Sequence, residues 1–148
     1  PERRADLPLE PLARRGVGLW NRLALRGPLL AAEPARGASW NRGAYLVTGI
    51  GHCGECHTPR DRAMRPDRSR ELAGGPHPAG EGEVPGLRGL VARGRYADAA
   101  DLALALSNGE TLGYDGLSSG GMGAIQENLA LLPEEDVRAI ADYLVSLR

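Results

Sequence analysis

Lysine and phenylalanine are both absent from this chain of 148 residues, and aromatic residues make up only 4% of it. A chain this poor in large rings has little material for a core of its own. Glycine and proline are abundant, at 21 and 11 residues. We therefore expect a bound cofactor to complete the core, with small residues packed around it. The absence of lysine carries no functional inference.

Long apolar runs are also missing. No stretch of about 18 apolar residues occurs, so no segment is expected to span a membrane. The chain starts at Pro1 and shows no signal peptide, so we expect a processed chain or a fragment. Its length fits one domain, or one domain with an extension.

The formal net charge of −1 hides an uneven distribution. Residues 2–42 hold eight arginines and four acids, residues 60–70 hold five and two, and residues 71–148 hold five and twelve. Such asymmetry steers the docking of charged partners more than it shapes the fold. Aromatic residues do not interleave with the basic stretches, so nucleic-acid binding is not expected.

Both cysteines lie in one motif, Cys53-Gly54-Glu55-Cys56-His57. Two thiols three positions apart can form thioether bonds with the two vinyl groups of one haem, and the histidine that follows can bind the iron. The motif predicts one covalently attached haem c. Because such attachment occurs outside the cytoplasm, we infer a periplasmic location.

Two other kinds of site use a Cys-x-x-Cys pair, a redox disulfide and half of a zinc site. Zinc would need two more ligands at similar spacing, but no third cysteine exists, and His52 and His77 form no paired motif. A thioredoxin-type site would need a strand before the motif, and residues 42–50 show no clear strand alternation. We favour haem attachment over both alternatives.

The segments before the motif are predicted as follows. Residues 1–15 are expected to be irregular, and residues 16–26 to form a short surface helix that Trp20 anchors on the main domain. Residues 27–39 are rich in glycine, proline and alanine, which indicates a linker.

Two longer helices are predicted to cross. Residues 39–50 form the first, with Ser39 as N-cap, and Gly43 in its body indicates a close approach by another helix. The last helix begins near Pro133, and Tyr143 is expected to pack across Gly43. Its apolar stripe should face the first helix and consists of Val137, Ile140, Leu144 and Leu147.

Between these helices, residues 58–90 are predicted to be a long loop that wraps the cofactor. Residues 98–106 are predicted to form a short helix that Asn108 and Gly109 close. Glycines surround Met122, and they would let a loop bring its thioether to the iron opposite His57. Met64 and His77 are weaker candidates for this sixth ligand, and His52 is expected to point away.

These motifs, in this order, resemble class I cytochrome c. The resemblance implies an all-α fold of three to five helices wrapped around one covalently bound haem c. It implies an N-terminal extension over residues 1–38 and a cytochrome c domain over residues 39–148. Residues 84–90 resemble the family's Gly-Pro-Asn-Leu-x-Gly segment, in which the carbonyl of Pro85 would accept a hydrogen bond from His57. The implied haem-binding residues, none of them catalytic, are Cys53, Cys56, His57, Met122, Pro85, Leu87, Arg88, Tyr96 and Tyr114.

A closer resemblance covers residues 16–148 and is to the C-terminal half of bacterial dihaem cytochromes c that serve dehydrogenases. It is carried by residues 40–47, 51–60, 72–75 and 139–144. It implies a periplasmic monohaem carrier with histidine and methionine ligands, which is a monomer or a subunit of a dehydrogenase complex. Electrons would pass from a dehydrogenase to a cytochrome or oxidase.

Two rival functions remain open. One is a haem peroxidase or ligand-binding haem domain whose sixth ligand is labile, and the other is a fixed relay domain with residues 1–40 as its tether. The arginines of residues 60–70 would face the redox partner in a carrier. Alternatively, they would be solvated or would pair with the acidic C-terminal half.

Overall fold

The computed structural model describes residues 11–24, 31–78, 82–109 and 121–148, and helices dominate them. The helices are α1 (Pro11–Ala24), α2 (Ala38–Tyr45), α3 (Cys53–His57), α4 (Ala99–Asn108), α5 (Gly121–Leu129) and α6 (Glu134–Ser146). A π-helical turn (Leu46–Ile50) continues α2, and a 3-10 turn (Arg68–Arg70) follows α3. A short antiparallel hairpin joins β1 (Gly75–Pro76) to β2 (Glu83–Val84). The architecture confirms the predicted all-α class.

The crossing of α2 and α6 forms the centre of the molecule. A Cβ atom on Gly43 would overlap the carbonyl oxygen of Ala139 and lie 2.8 Å from the Cβ of Tyr143. Only glycine lets the two backbones approach this closely. The predicted crossing at Gly43, with Tyr143 packed across it, is therefore confirmed.

Polar side chains fix the angle of this crossing. Arg42 donates two hydrogen bonds to the carboxylate of Asp136, at 2.7 and 2.8 Å. Trp40 packs edge-on against Tyr143, with ring centroids 5.1 Å apart, and its indole N–H donates to the hydroxyl of Ser146 at 2.7 Å. Helix α2 is thus tied to both ends of α6.

The predicted N-cap of α2 is wrong. The helix starts at Ala38, with Gly37 in the cap position and no side-chain cap. The Ser39 hydroxyl donates instead to the carboxylate of Asp142 at 2.5 Å, so tertiary contact with α6 replaces local capping. The side chain of Asn41 stabilises the preceding turn by donating to carbonyls of residues 33, 36 and 37 at 3.0 to 3.1 Å.

The helix predicted over residues 39–50 changes type in its last turn. The Gly51 N–H donates to the Leu46 carbonyl at 2.8 Å, which closes a π-type turn. A Cβ on Gly51 would lie 2.5 Å from that oxygen, so glycine is required there. His52 then adopts a left-handed backbone, with φ of 49°, and the chain turns into α3.

Helices α4 and α6 follow their sequence signals. Asp98 caps α4 by accepting from two backbone N–H groups, at 2.8 and 3.0 Å, and Gly109 ends it with φ of 73°. Helix α6 begins after Pro133 with three acids in its first turn, where they complement the helix dipole. The predicted stripe contributes to the core, whose buried members are Leu46, Val47, Leu72, Leu87, Leu90, Leu102, Ile140, Ala141, Tyr143 and Leu144.

Helix α1 is longer than predicted. It starts at Pro11, so residues 11–15 are helical rather than irregular, since proline is tolerated in the first turn and alanine and arginine favour helix. The Trp20 indole N–H donates to the Ala63 carbonyl at 2.9 Å, which attaches the helix to the main body as expected. Three parts of these predictions lie outside the described residues: residues 1–10, the predicted helix end at residues 25–26, and residues 27–30 of the predicted linker.

Two further features were not predicted. Residues 58–90 contain the 3-10 turn and the hairpin rather than irregular loop alone. Residues 121–129 form α5, so Met122 lies in the first turn of a helix and not in a loop. In the described part of the chain, no helix has the length and apolar character needed to cross a bilayer.

Candidate functional site

Helix α3 presents both cysteines and the histidine of the motif. Cys53 and Cys56 are separated by three positions, so they lie on the same side of one helical turn. Both thiols are free and partly buried. Burial raises the pKa of the Cys53 thiol, whereas redox-active thiols usually have a lowered pKa. This environment and the absence of a preceding strand among the described residues disfavour the dithiol alternative.

The imidazole of His57 is fixed by one main-chain acceptor. His57 is 5% exposed, and its Nδ1 lies 2.8 Å from the carbonyl oxygen of Pro85. Because a carbonyl can only accept, Nδ1 carries the proton and Nε2 keeps its lone pair for a metal. Burial lowers the pKa of His57, although the bond to Pro85 partly opposes this shift. The neutral form, which is the ligating form, is therefore favoured.

Backbone hydrogen bonds hold the loop that supplies this acceptor. The Gly74 N–H donates to the His57 carbonyl at 2.7 Å, and the Leu72 N–H donates to the hydroxyl of Thr58 at 3.0 Å. The Leu87 N–H in turn donates to the Leu72 carbonyl at 2.8 Å. These bonds join the residues around Pro85 to the end of α3.

Two glycines allow the two loop segments to touch. Gly74 has φ of 77°, and a Cβ on it would lie 2.5 to 2.7 Å from backbone atoms of residues 84–86. A Cβ on Gly86 would lie 2.6 Å from the carbonyl oxygen of Ala73. Larger residues at either position would move the Pro85 carbonyl away from His57.

Arg60 connects α3 to the loop that follows it. Its guanidinium donates to the Glu55 carbonyl at 3.2 Å, to the Glu55 carboxylate, and to the Met64 carbonyl at 2.9 Å. The side chain is only 17% exposed, and its Nε is buried without a partner among the described residues. Sequence reasoning grouped Arg60 with the partner-facing arginines and missed this role. The available signal for this role was that Arg60 follows His57, Thr58 and Pro59 directly in the sequence.

Among the described residues, the other arginines of residues 60–70 form no ion pair with an acid of the C-terminal half. Two of them pair with nearby acids, Arg65 with Asp61 at 2.7 Å and Arg70 with Asp67 at 2.8 Å. Arg62 and Arg68 are exposed and make no hydrogen bond or ion pair within the described ranges. In the described part of the chain, Arg60, Arg65 and Arg70 therefore pair with local acids and not with the C-terminal half.

Two of the remaining predicted haem-binding residues belong to the core or pack against it. Leu87 is buried, and Tyr96 is partly buried against the core. Arg88 donates from Nε to the Arg148 carbonyl at 2.8 Å. Met122 is partly buried in α5, and Tyr114 lies outside the described residues. Their roles toward a haem stay predictions.

The weaker candidates for the sixth ligand both lie in the segment that follows α3. Met64 is 50% exposed on the loop beside Arg60. The backbone N–H of His77 donates to Gly82 within the hairpin, at 2.8 Å. No cluster of three or more His, Cys, Asp or Glu side chains that could hold a metal ion occurs in the described ranges.

The donor set in α3 fits a haem attached through two thioethers. Cys53 and Cys56 offer two free sulfurs on one helical turn, and His57 offers one oriented nitrogen directly after them. A buried, neutral imidazole whose other nitrogen is hydrogen-bonded is the expected form of an iron ligand.

Comparison with known proteins agrees with this arrangement. The family model described as "Cytochrome c" matches residues 40–148. A protein named "Diheme cytochrome c-type" from Cereibacter sphaeroides is 45% identical over 97% of this chain and 48% of its own length. The fructose dehydrogenase cytochrome subunit from Gluconobacter japonicus is 34% identical over 99% of this chain and 30% of its own length. The cytochrome c subunit of the quinone alcohol dehydrogenase from Gluconacetobacter polyoxogenes is 32% identical over 99% of this chain and 33% of its own length. The chain thus spans about half, or less, of the length of these relatives.

Proposed function

This chain belongs to the cytochrome c family, in which haem c is bound covalently, and we propose that it carries single electrons between a dehydrogenase and a further acceptor in the bacterial periplasm. The observation that supports this most directly is the buried His57 ring, which directly follows the two cysteines and whose Nδ1 lies 2.8 Å from the Pro85 carbonyl. That contact prepares one nitrogen for iron and fixes its orientation.

We assign the haem-binding residues as follows. Cys53 and Cys56 would form the thioethers, and His57 and Met122 would supply the two protein ligands of the iron. One haem is attached to the chain, because the motif occurs once in its sequence. When bound, haem c supplies reversible one-electron oxidation and reduction. The protein orients His57, limits its exposure to water and keeps Met122 near the glycine-rich start of α5.

Electron transfer rather than substrate turnover follows from this ligand set. With two protein ligands the iron would have no open position for a substrate, and a methionine ligand beside the histidine would raise the reduction potential. The relatives are cytochrome c proteins and cytochrome subunits of dehydrogenases by name, which supports a dehydrogenase as the electron donor. We propose a cytochrome or oxidase as the acceptor, and residues 39–148 as the domain that carries the haem.

Absorption spectra of the oxidised and reduced holoprotein test this function. Ligation by Met122 should give a weak sulfur-to-iron band at the red end of the oxidised spectrum and no binding of carbon monoxide. Met122→Ala should lose the band and bind carbon monoxide. Met64→Ala is the matched control, because Met64 is 50% exposed, and it should keep the wild-type spectrum.

The opposite result would favour the haem peroxidase or ligand-binding alternative. A wild-type protein that lacks the band and readily binds carbon monoxide or cyanide has a labile or absent sixth ligand. Loss of the band in Met64→Ala rather than in Met122→Ala would instead reassign the ligand.

A further inference from the structure

Helix α1 has one apolar side and one basic side. At 100° per residue, Val17, Leu19, Trp20 and Leu23 fall within an arc of about 160°. The three arginines of the helix, Arg14, Arg15 and Arg22, lie outside this arc, and residues 11–24 contain no acid. The helix therefore has strong amphipathicity but a low net hydrophobicity, which distinguishes interfacial helices from buried ones.

The described residues leave most of the apolar side uncovered. Trp20 is partly buried and donates to the Ala63 carbonyl, but Val17, Leu19 and Leu23 remain 50%, 62% and 54% exposed. Single exposed apolar residues are ordinary, whereas three on one side of one helix indicate a surface that binds something.

The residues around the attachment point extend this surface. Trp20 binds the loop that also holds Arg62 and Met64. Arg62 is exposed without a described partner, and Met64 is 50% exposed. Apolar and cationic groups thus continue from the helix onto the loop.

We propose that this surface, formed by α1 and residues 62–64, binds the headgroup region of a lipid bilayer that contains anionic lipids. Apolar side chains would enter the interface while arginines contact the headgroups, and each nearby arginine should strengthen binding about fivefold. A second copy of the chain is a poorer occupant, because it would bring arginines of the same surface against each other. With only 14 residues, α1 would lie on the bilayer and not cross it.

Sedimentation of the holoprotein with vesicles tests this proposal. Vesicles of phosphatidylcholine alone are compared with vesicles that also contain phosphatidylglycerol, and the haem colour is measured in the pellet. The protein should sediment with the anionic vesicles, less so at high salt. The double variant Leu19→Ser/Leu23→Ser should bind about tenfold more weakly or worse, since two apolar side chains are lost from the interface.

Leu131→Ser is the matched control, because Leu131 is 83% exposed but lies outside this surface, and it should bind as the wild type does. Failure of the wild type to sediment with anionic vesicles overturns the proposal, as does equal binding by the double variant. A concentration-dependent dimer that the double variant abolishes would instead identify a second copy as the occupant. Vesicle binding does not depend on the iron ligands, so the spectra test the carrier function separately.

Discussion

Among single residues, Arg60 has a structural role that was not predicted. It donates to two groups of Glu55, which lies between the cysteines, and to the loop carbonyl of Met64. A partly buried guanidinium can make these contacts at once because its donors are fixed in a planar fork. Arg60 therefore holds the haem-attachment helix against the loop that binds α1.

Replacement of Arg60 should show this role. Arg60→Ala leaves the Met64 and Glu55 carbonyls without their donor and should destabilise the holoprotein by about 1–3 kcal/mol. Arg60→Lys should restore only part of the loss, because one ammonium cannot reproduce the fork. Denaturant unfolding measures the difference. Arg62→Ala is the control. A similar loss of stability in that variant would mean that the removed positive charge, and not the hydrogen bonds of Arg60 to Glu55 and Met64, is responsible.

At the scale of elements, the crossing of α2 and α6 depends on the missing side chain of Gly43. A methyl group there meets backbone atoms of Ala139, which cannot move without separating the helices. Gly43→Ala should therefore destabilise the protein by about 1–3 kcal/mol or more, as overpacking does. Thermal unfolding of the holoprotein gives the measurement.

Gly18→Ala is the matched control for this change. No atom lies within 4 Å of a Cβ at Gly18, so the substitution should be neutral or should stabilise α1 by about 0.5–1 kcal/mol. Equal destabilisation by both variants would show that the effect does not come from the crossing.

The same crossing should be sensitive to acid. The hydrogen bonds from Arg42 lower the pKa of Asp136 below its ordinary value. The ion pair therefore contributes its full stability above the unfolded pKa of about 3.9 and loses it as the pH falls through the lower folded value. Asp136→Asn should flatten this acid decline in a stability–pH curve. Glu135→Gln removes an exposed acid from the same helical turn and should leave the decline as it is.

The elements that sequence predicted are those with local signals. The 3,4,3 spacing of the α6 stripe, the acids at its start, Asp98 before α4 and Gly109 after it all act within a few residues of each other. Gly43 was informative because a glycine inside a helix has a cost that a close crossing explains. These signals predicted individual helices, whereas the fold class was implied by the resemblance to class I cytochrome c, and the cysteine and histidine positions came from the Cys-x-x-Cys-His motif.

The rest depended on contacts between distant segments. The π-turn before α3 requires a hydrogen bond between Gly51 and Leu46, which spans one residue more than the α-helical bond does. Ser39 does not cap α2, because its hydroxyl donates to Asp142 of α6 instead. Helix α5 contains Gly121 and Gly123, whose low helix propensity indicated a loop. The acceptor for Trp20 is the backbone carbonyl of residue 63. Because every residue has such a carbonyl, the sequence could not indicate this contact.

For the whole molecule, the low content of large side chains makes the haem part of the core. Covalent attachment should therefore control both colour and stability. The wild type should keep its pigment in acidic acetone, Cys56→Ala should keep one thioether and the haem, and Cys53→Ala/Cys56→Ala should release the haem entirely. The double variant should also lose much of its helical circular dichroism signal. A wild type that releases its pigment in acidic acetone would contradict covalent attachment.

The acceptor for His57 is a main-chain oxygen, and this has an evolutionary consequence. Random substitution can delete a side-chain partner in one step, but every amino acid at position 85 keeps a carbonyl. The orientation of the imidazole is thus shielded from most point mutations at that position. Descendants could change the redox potential through this bond only by moving the backbone that carries the Pro85 carbonyl. Substitutions of Gly74 and Gly86 are the ones expected to move it.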